Sequence, residues 1–341
     1  MGEGVAMPIG VGLIGLGMAV KPHMRAVRDL QKSGRIRLVG GFSPSAERRA
    51  CFAAQWGAPV FNRQEALLDQ PELGLVLILT PPGTHLAVAE VVAATRRHLL
   101  VEKPLEISAA RGEALAALAE AAGVRCGVCL QHRFRPGALR LRQAIESGVL
   151  GRLLSASASI RWWRDSSYFA EAGRGTRARD GGGVLLTQAI HSLDLLLHLA
   201  GPHRSVAGFA ATSPLRAIDT EDIVAAALRF ENGALGVVDA TTVARPGYPE
   251  RIEIAGTEGS AVLEASRLVL HRGGEVERLG EDLAGGGGAD PMAFDYRPHR
   301  AVLTEMIDAI EQDRAPSNDA RSALLVQRLI EDLLVDAETR A

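Results

Sequence analysis

The sequence predicts an α/β domain built on a doubly wound parallel sheet, followed by an α+β domain with a large, mostly antiparallel open sheet. Two observations predict the first domain: apolar runs alternate with helical stretches, and a glycine turn follows the first run. The third observation is that short segments of alternating small polar and apolar residues begin after Gly151. We therefore expect domains at 1–131 and 132–341.

Composition narrows the class of protein. The 341 residues are enough for two cores, and 47% hydrophobic with 23% charged residues describes an ordinary globular chain. Because 38 basic and 40 acidic side chains nearly cancel, neither nucleic acid nor an anionic membrane is an expected partner. Glu3 precedes the first apolar run, and no uninterrupted apolar run reaches the ~18 residues of a spanning helix. We expect a cytoplasmic protein that acts on a small molecule.

Three cysteines, Cys51, Cys126 and Cys129, cannot form a closed set of disulfides. Cys126 and Cys129 lie in an apparent strand, VRCGVCL, where residues three apart point to opposite faces. This favours buried small side chains over a redox or zinc pair.

The first apolar run, IGVGLI at 9–14, leads into Gly15-Leu16-Gly17 and a helical pattern. Glycines at such a turn let the backbone approach a pyrophosphate, which the free N–H groups of the next helix attract. Val20 stands where a third glycine would complete the fingerprint, so a turn without a ligand is the alternative. The strands that follow favour dinucleotide binding, with contacts at Gly15, Gly17, Met18 and Ala19.

The end of the second strand, IRLVGGF, bears on the choice of nucleotide. A carboxylate there would bind the ribose 2′-hydroxyl and repel a 2′-phosphate, but the residue is Ser43, with Arg48 and Arg49 close behind. Ser43 and Arg48 are therefore predicted cofactor contacts, and NADP is the expected cofactor. The arginines could instead solvate a helix face, and Glu47 leaves room for NAD.

Polar residues follow the next strands where ligands of open parallel sheets bind. A proline-rich turn follows LGLVLIL at 73–79, and Glu102-Lys103-Pro104 follows HLLV at 98–101. A lone lysine on a loop is more often solvated, but Pro104 holds this one in place. The remaining predicted cofactor contacts are Thr80, Pro81, Pro82, His85, Glu102, Lys103 and Gln131.

A helix at 184–201, after Gly181-Gly182-Gly183, is apolar nearly all round and is therefore predicted to be buried. At about 100° per residue, Thr187, His191, Asp194 and His198 form one polar stripe on it. Buried polar groups need partners, so the stripe faces either a hydrogen-bonded core network or a pocket. A metal triad of His191, Asp194 and His198 is a weaker alternative, and we expect no metal.

Candidate substrate contacts lie between the first strand of the second domain and the glycines. Arg164 can bind hydroxyls or a carboxylate, and Tyr168, Trp162 and Trp163 offer ring faces. At least one of the adjacent tryptophans is expected in the core or at an oligomer contact. Amphipathic helices at 299–311 and 319–337 close the chain after a flexible GGGG loop at 285–288, and a sheet with one face to cover suggests a homodimer or homotetramer.

With these residues in view, the chain resembles the Gfo/Idh/MocA oxidoreductases, the glucose-fructose oxidoreductase and inositol dehydrogenase group. Six landmarks in order carry the likeness: the glycine turn with His23, Thr80-Pro81-Pro82 with His85, Glu102-Lys103-Pro104, His132-Arg133-Phe134, Gly181-Gly182-Gly183, and His191-x-x-Asp194.

The resemblance implies an N-terminal Rossmann domain, a pyridine nucleotide, and a C-terminal domain whose open sheet packs in oligomers. It maps the catalytic lysine to Lys103 and the catalytic histidine to His191, with Asp194 as a supporting residue and often a cis bond before Pro104. The chain departs from many members at Thr187, which stands where they have Asp, and at Ser43. A hydroxyl at position 187 can orient a substrate or pass on a proton, but it cannot hold a charge as a carboxylate does, and Thr187 is counted among the catalytic residues.

The expected function is hydride transfer between nicotinamide and a secondary alcohol or ketone of a sugar, sugar acid, cyclitol or related ring diol. Lys103 and His191 would move the proton and stabilise the alkoxide, and Thr187 would orient the substrate. Lys103, Arg164, Tyr168, Thr187 and His191 form the predicted substrate site. Alternatives are a sugar-modifying enzyme that recycles its cofactor and a nucleotide-binding regulator without catalysis.

Overall fold

The computed structural model describes residues 7–170, 173–280 and 295–340. Its contacts divide the chain into two compact units. The first comprises residues up to 106, 110–129 and 296–322; the second comprises 107–109, 130–295 and 323–341. The closing segment 296–322, within the predicted 132–341 domain, thus belongs to the first unit. The predicted GGGG loop at 285–288 lies outside the described residues.

The first unit is built on a six-stranded sheet in the order β3-β2-β1-β4-β5-β6, with every pair parallel. Its interior strands carry continuous apolar runs because helices cover both faces of a parallel sheet. The strands are β1 (Ile9–Ile14), β2 (Ile36–Phe42), β3 (Val60–Phe61), β4 (Leu73–Ile78), β5 (His98–Val101) and β6 (Cys126–Val128). The helices up to this point are α1 (Val20–Lys32), α2 (Ala46–Trp56), α3 (Gln64–Leu68), α4 (His85–Ala94) and α5 (Ala109–Ala121).

Strand order in this sheet reverses between β1 and β4, which lie side by side and lead to opposite edges. Such a reversal leaves a crevice at the carboxyl ends of the strands, where open α/β sheets bind ligands. The predicted doubly wound parallel sheet is therefore confirmed. Cys126 and Cys129 are buried free thiols, as expected, and burial raises the pKa of Cys126 to about 12.

The second unit contains an eight-stranded sheet in the order β14-β13-β12-β11-β7-β10-β9-β8. Only the β7/β10 pair is parallel, which confirms the predicted, mostly antiparallel sheet. The strands are β7 (Leu153–Arg161), β8 (His203–Ala211), β9 (Ile223–Phe230), β10 (Leu235–Thr241), β11 (Arg251–Gly256), β12 (Gly259–Glu264), β13 (Arg267–Arg272) and β14 (Glu275–Leu279).

Three strands, β3, β12 and β14, were not predicted. β3 has two residues, and β14 is an edge strand whose residues are almost all exposed, so neither carries a burial pattern. β12 is paired on both sides, by β11 and β13, and its pairing partners rather than its own short sequence define it.

One face of the large sheet is buried. β9 alternates strictly between exposed and buried residues, with Val224, Ala226, Leu228 and Phe230 on the buried side. The apolar cluster of this unit joins that face to the central helix and includes Trp162, so one of the two adjacent tryptophans is a core residue, as expected.

The central helix is not uniform. Residues Leu185–Ala189 form a π-helical turn, and the α-helix α8 (Ile190–Ala200) continues from it. The prediction of one regular helix from 184 is wrong for this first turn, because a π turn inserts an extra residue into the ladder of hydrogen bonds. Arg177–Ala200 is long and apolar enough to cross a membrane, but 89% of its apolar 18-residue window is buried inside the molecule, as in the core helix of a globular protein.

The remaining helices are α6 (Pro136–Glu146), α7 (Arg177–Asp180), α9 (Arg297–Glu311) and α10 (Ala320–Arg340). α9 and α10 match the two predicted closing helices to within three residues. In the first unit α9 packs on α1, and Tyr296 before it donates a hydrogen bond to Asp29 at 2.8 Å.

Candidate functional site

The glycine turn of the first unit packs tightly against the backbone that follows β4. Gly15 has φ +96°, and a Cβ on it would lie 2.6 Å from the carbonyl carbon of Leu79, so only glycine fits. Gly17 and Ala19 are half-buried, and Met18 is exposed. The turn leads directly into the N-terminus of α1, whose free N–H groups favour an anion such as a pyrophosphate.

The residues after β2 have two roles: some support the turn, and one carries an exposed positive charge. Ser43 is buried, and its hydroxyl accepts a hydrogen bond from the Ser45 amide at 3.3 Å. Arg49 donates to the carbonyl oxygen of Ser43 at 2.6 Å, so it supports this turn. Arg48 is exposed, and a guanidinium nitrogen lies 3.7 Å from where a Cβ of Gly17 would be. Arg48 thus places a positive charge beside the glycine turn.

His85 joins the turns that follow β4 and β5. It is fully buried, its Nε2 lies 2.9 Å from the carbonyl oxygen of Thr80, and its Nδ1 lies 3.1 Å from the carbonyl oxygens of Pro104 and Leu105. Pro81 is exposed, while Thr80 and Pro82 are half-buried. The structure thus places His85 beneath the predicted cofactor surface and Thr80-Pro81-Pro82 on it.

Glu102 is the centre of a polar network at the end of β5. Its carboxylate lies 2.6 Å from Nε2 of His23 and accepts the amide N–H of Lys103 at 2.9 Å. Burial alone would raise the pKa of Glu102, but the hydrogen bond and charge of His23, with His299 and Lys103, lower it below its usual value. The Lys103-Pro104 bond is cis, as the resemblance implied. Lys103 is half-buried next to an ionised carboxylate.

Among the described residues, one group of three or more potential ligands has its donor atoms close together: His23, Glu102, Cys129 and His299, all within 4.8 Å of one another. Burial and the charge of Glu102 raise the pKa of Cys129 well above its usual value, which favours the thiol over the metal-binding thiolate. The hydrogen bond between His23 and Glu102 already uses two of the donors. We therefore interpret the group as a hydrogen-bond network.

In the second unit a buried ion pair connects residues 131–134 to α8. Nε of Arg133 donates to Asp194 at 2.7 Å, a second guanidinium N–H donates to the other carboxylate oxygen, and both side chains are at most 6% exposed. Burial raises the pKa of Asp194, and the paired guanidinium offsets part of that rise. Asp194 on α8 is thus bonded to Arg133, and its supporting role stays a prediction.

This ion pair places two side chains against His191. The His132 ring stacks on the His191 ring with centroids 4.8 Å apart, and Nε2 of His191 lies 3.4 Å from Nε2 of Gln131. An Arg135 N–H lies 2.6 Å from Nε2 of His132. His191 is 8% exposed, so it is a buried histidine with defined neighbours.

The residues of the polar stripe predicted on the central helix have different surroundings in the structure. Asp194 binds Arg133, and burial together with Arg133 and Arg142 lowers the pKa of His198 to about 3. His191, Asp194 and His198 do not bring their donor atoms together, so no described geometry supports the metal triad.

Thr187 lies in the π turn, and its hydroxyl contacts two residues near it in the sequence. Its hydroxyl contacts the Gly183 carbonyl oxygen at 2.6 Å and, more closely, Oε1 of Gln188. Nε2 of Gln188 lies 3.1 Å from the Tyr168 hydroxyl, so Thr187 and Tyr168 belong to one network. Sequence reasoning missed Gln188; the available signal was a second polar residue beside Thr187 on an otherwise apolar helix.

Arg164, another predicted substrate contact, is buried. Its guanidinium carbon lies 5.0 Å from the Trp162 ring centre and 5.7 Å from the Tyr168 ring centre. Burial, and the nearby Arg216, lower the pKa of Arg164, while Tyr168 and Asp165 oppose that change. Arg164 thus sits in a wall of aromatic rings next to Tyr168.

A doubly wound parallel sheet, a glycine turn that excludes a Cβ and a helix N-terminus behind it define a dinucleotide-binding protein. Residues 9–130 match the family model described as "Oxidoreductase family, NAD-binding Rossmann fold", and residues 138–262 match "GFO/IDH/MocA C-terminal domain". The two models together cover more than half of the chain. The chain therefore belongs to the Gfo/Idh/MocA oxidoreductase family.

Individual relatives agree with this assignment. The chain is 29% identical to D-apiose dehydrogenase of Paraburkholderia graminis (76% of this chain and 68% of the relative). It is 27% identical to inositol 2-dehydrogenase of Rhizobium meliloti (77% and 78%). The solved WlbA dehydrogenase of Bordetella pertussis, in complex with NADH and UDP-GlcNAcA, is 29% identical, with a TM-score of 0.84 over 98% of both chains.

The Arg133–Asp194 pair yields a prediction about stability. Asp194→Asn removes the charge of the carboxylate that both Arg133 N–H groups contact in this buried pair, so the free energy of unfolding should fall by about 3–5 kcal/mol. Urea unfolding measures the change. The control is Glu253→Gln, which removes the exposed partner of Arg251 and should change stability by less than about 1 kcal/mol. Equal effects of the two variants would contradict the role given to the buried pair.

Proposed function

We propose that this protein is a nicotinamide-dependent dehydrogenase that oxidises a secondary alcohol of a sugar, sugar acid, cyclitol or related ring diol, or reduces the corresponding ketone. The observation that carries the proposal is Lys103, held at a strand end of the nucleotide-binding unit by Glu102 and by a cis-proline. The dehydrogenases of D-apiose and inositol among its relatives support the substrate class.

The residues of the first unit suit a dinucleotide. Gly15 makes a tight turn against the Leu79 carbonyl where a Cβ would clash, and the start of α1 after this turn offers N–H groups to a pyrophosphate. When bound, nicotinamide supplies the hydride acceptor or donor. Thr80, Pro81 and Pro82 form the surface beside the glycine turn in this proposal.

Lys103 and His191 carry the proton chemistry in this proposal. The Lys103 ammonium stabilises the oxygen of the substrate as negative charge develops on it. His191 takes the hydroxyl proton during oxidation and returns it during reduction, a role that suits an imidazole near neutral pH. Thr187 orients the substrate without exchanging a proton, because a hydroxyl cannot hold charge as a carboxylate does.

Substitution of the two proposed catalytic groups tests the chemistry. Lys103→Met and His191→Asn should each lower kcat/KM by about 100-fold or more, since a positioned acid or base typically contributes 10²–10⁴-fold. Thr187→Val should cost less. The measurement is the rate of nicotinamide reduction with a panel of sugars, sugar acids and cyclitols.

Lys32→Met and His271→Asn serve as controls for these variants, because both side chains are exposed. A wild-type protein that binds the nucleotide but turns over no member of the panel would favour a non-catalytic regulator. Nucleotide that remains bound through purification and is reduced and reoxidised within one cycle would favour the cofactor-recycling alternative.

NADP is the proposed nucleotide, with NAD as the alternative. Arg48 is exposed beside Gly17, and no carboxylate occupies position 43 to repel a 2′-phosphate. Because Ser43 itself is buried, Arg48 is the group that would bind the phosphate.

Fluorescence titration with NADPH and NADH tests this preference. The wild type should bind NADPH more tightly, Arg48→Gln should weaken NADPH binding alone, and Ser43→Asp should reverse the order. Arg63→Gln, at another exposed arginine of the first unit, is the control. Tighter NADH binding by the wild type would overturn the preference, and binding of neither nucleotide would overturn the dehydrogenase itself.

We also propose a homodimer or homotetramer that uses the open face of the large sheet. Phe209 is 66% exposed on β8 and Val237 is 54% exposed on β10, with Ala225 and Ala227 of β9 beside them. An apolar sheet face of this kind marks an association surface.

Sedimentation equilibrium should show a dimer or tetramer for the wild type. Phe209→Asp places a charge on the apolar face and should shift the mass toward the monomer. Leu139→Asp, at a 51% exposed leucine on α6, should leave the mass unchanged. A wild-type monomer would refute the assembly.

A further inference from the structure

Two arginines that stand two residues apart in the second unit each contact a buried carboxylate. Arg133 pairs with Asp194 on α8. Arg135, which precedes α6, pairs with Glu250, the residue before β11, and also donates to the carbonyl oxygen of Ala265 at 3.2 Å. The Glu250 side chain is 5% exposed and that of Arg135 is 13% exposed, so the second pair is nearly as buried as the first.

The contact between Arg135 and His132 determines where the hydrogen of the imidazole lies. An N–H of the guanidinium points at Nε2 of His132, 2.6 Å away. A guanidinium N–H can only donate, and a ring nitrogen has a single in-plane position, which holds either a hydrogen or a lone pair. Nε2 therefore presents its lone pair to Arg135, and the one hydrogen of the neutral ring lies on Nδ1. Other contacts of His132 do not change this result, because the position on Nε2 is taken.

The same contact keeps the His132 ring uncharged. An imidazolium carries a hydrogen on both nitrogens, so protonation of His132 would turn an N–H toward the N–H of Arg135. The hydrogen bond would be lost, and two positive charges would lie in contact. Glu250 fixes the guanidinium from its other side, so Arg135 is held against the ring.

The neutral ring of His132 lies against the histidine proposed for proton transfer. The centroids of the His132 and His191 rings are 4.8 Å apart, and their planes differ by 28°. His191 is carried by α8, which Arg133 contacts through Asp194. One arginine–carboxylate pair thus supports the helix under His191, and the other supports the ring stacked on it.

We propose that Arg135 holds His132 as a neutral ring with its hydrogen on Nδ1, and that this ring is a positioning residue for His191. Of the two stacked histidines, only His191 then exchanges a proton with the substrate. The role of His132 rests on the proposed function of His191, whereas the state of its ring depends only on contacts within this unit.

Long-range ¹H–¹⁵N NMR of the full chain, labelled with ¹⁵N-histidine, tests the state of the ring. The signals of His132 are identified by their loss in His132→Phe. The wild type should show the neutral ring with its hydrogen on Nδ1, unchanged between about pH 8 and pH 6, a range in which an ordinary histidine becomes mostly charged. A hydrogen on Nε2, or a charged ring, would overturn the proposal.

Variants of Arg135 test what holds the ring in that state. Arg135→Met removes the donor but leaves Glu250 buried without its countercharge, so the double variant Arg135→Met/Glu250→Gln is measured beside it. In each, the His132 signals should depart from the Nδ1–H form, because Nε2 is then able to carry a hydrogen. Arg135→Lys keeps a charged donor and should preserve that form. An unchanged ring in both methionine variants would contradict the role given to Arg135.

Kinetics with the best substrate of the sugar and cyclitol panel test the positioning role. His132→Ala removes the stacked ring and should lower kcat by about tenfold with KM changed by less than about threefold, since a displacement of about 1 Å can cost 10²-fold. His132→Phe keeps a ring but has no nitrogen, and its kcat should stay within about threefold of the wild type. Leu228→Ala truncates a buried residue of β9 and serves as the control for lost stability, with kcat unchanged.

Two kinetic results would refute the role of His132. A loss in His132→Phe as large as that in His191→Asn would assign proton transfer to His132 itself, and an unchanged kcat in His132→Ala would show that the ring positions nothing. If the wild type turns over no substrate, the proposed function fails, while the NMR spectra still decide whether Arg135 fixes the ring.

Discussion

The buried pair of Arg133 and Asp194 is the interaction on which the second unit's site depends. It crosses from residues 131–134 to α8, and it sets where Gln131 and His132 lie against His191. Two charges out of water stabilise little by themselves, because desolvation offsets most of their attraction. Their contribution is geometric. Two guanidinium N–H groups that donate to two carboxylate oxygens fix the orientation of Arg133 on Asp194, and the histidine beside the pair is positioned by that orientation.

In the nucleotide-binding unit, contacts of the backbone hold the site residues in place. Gly15 fits beneath the Leu79 carbonyl because it has no side chain, and Glu102 holds the amide of Lys103 while His23 holds Glu102. Most of the backbone and side chains proposed to touch the nucleotide are half-buried or exposed, whereas His23 and His85, which support them, are buried. Catalytic sites commonly require such a supporting layer, since small displacements are costly.

Much of this could be predicted from the sequence, because hydrophobic periodicity and turn residues report on local structure. The parallel sheet, the open antiparallel sheet and the central helix all followed from them. Periodicity could not reveal the π turn, which begins where the amides of Gly183 and Leu185 donate to the carboxylate of Glu221, a residue from a distant part of the chain. Nor could it show that Ser43 and His85 are buried, or that Gln188 is the partner of Thr187, since a side chain's neighbours come from the assembled fold.

His85 connects two turns that lie far apart in the sequence. One ring nitrogen lies against the turn after β4 and the other against the turn after β5. A substitution that reshapes the proline-rich turn to suit another nucleotide would therefore also move the backbone that carries Lys103. Changes on the other side of the crevice, around Ser43 and Arg48, would disturb Lys103 less, because Arg49 supports that turn through the carbonyl oxygens of Ser43 and Pro44 in the same turn.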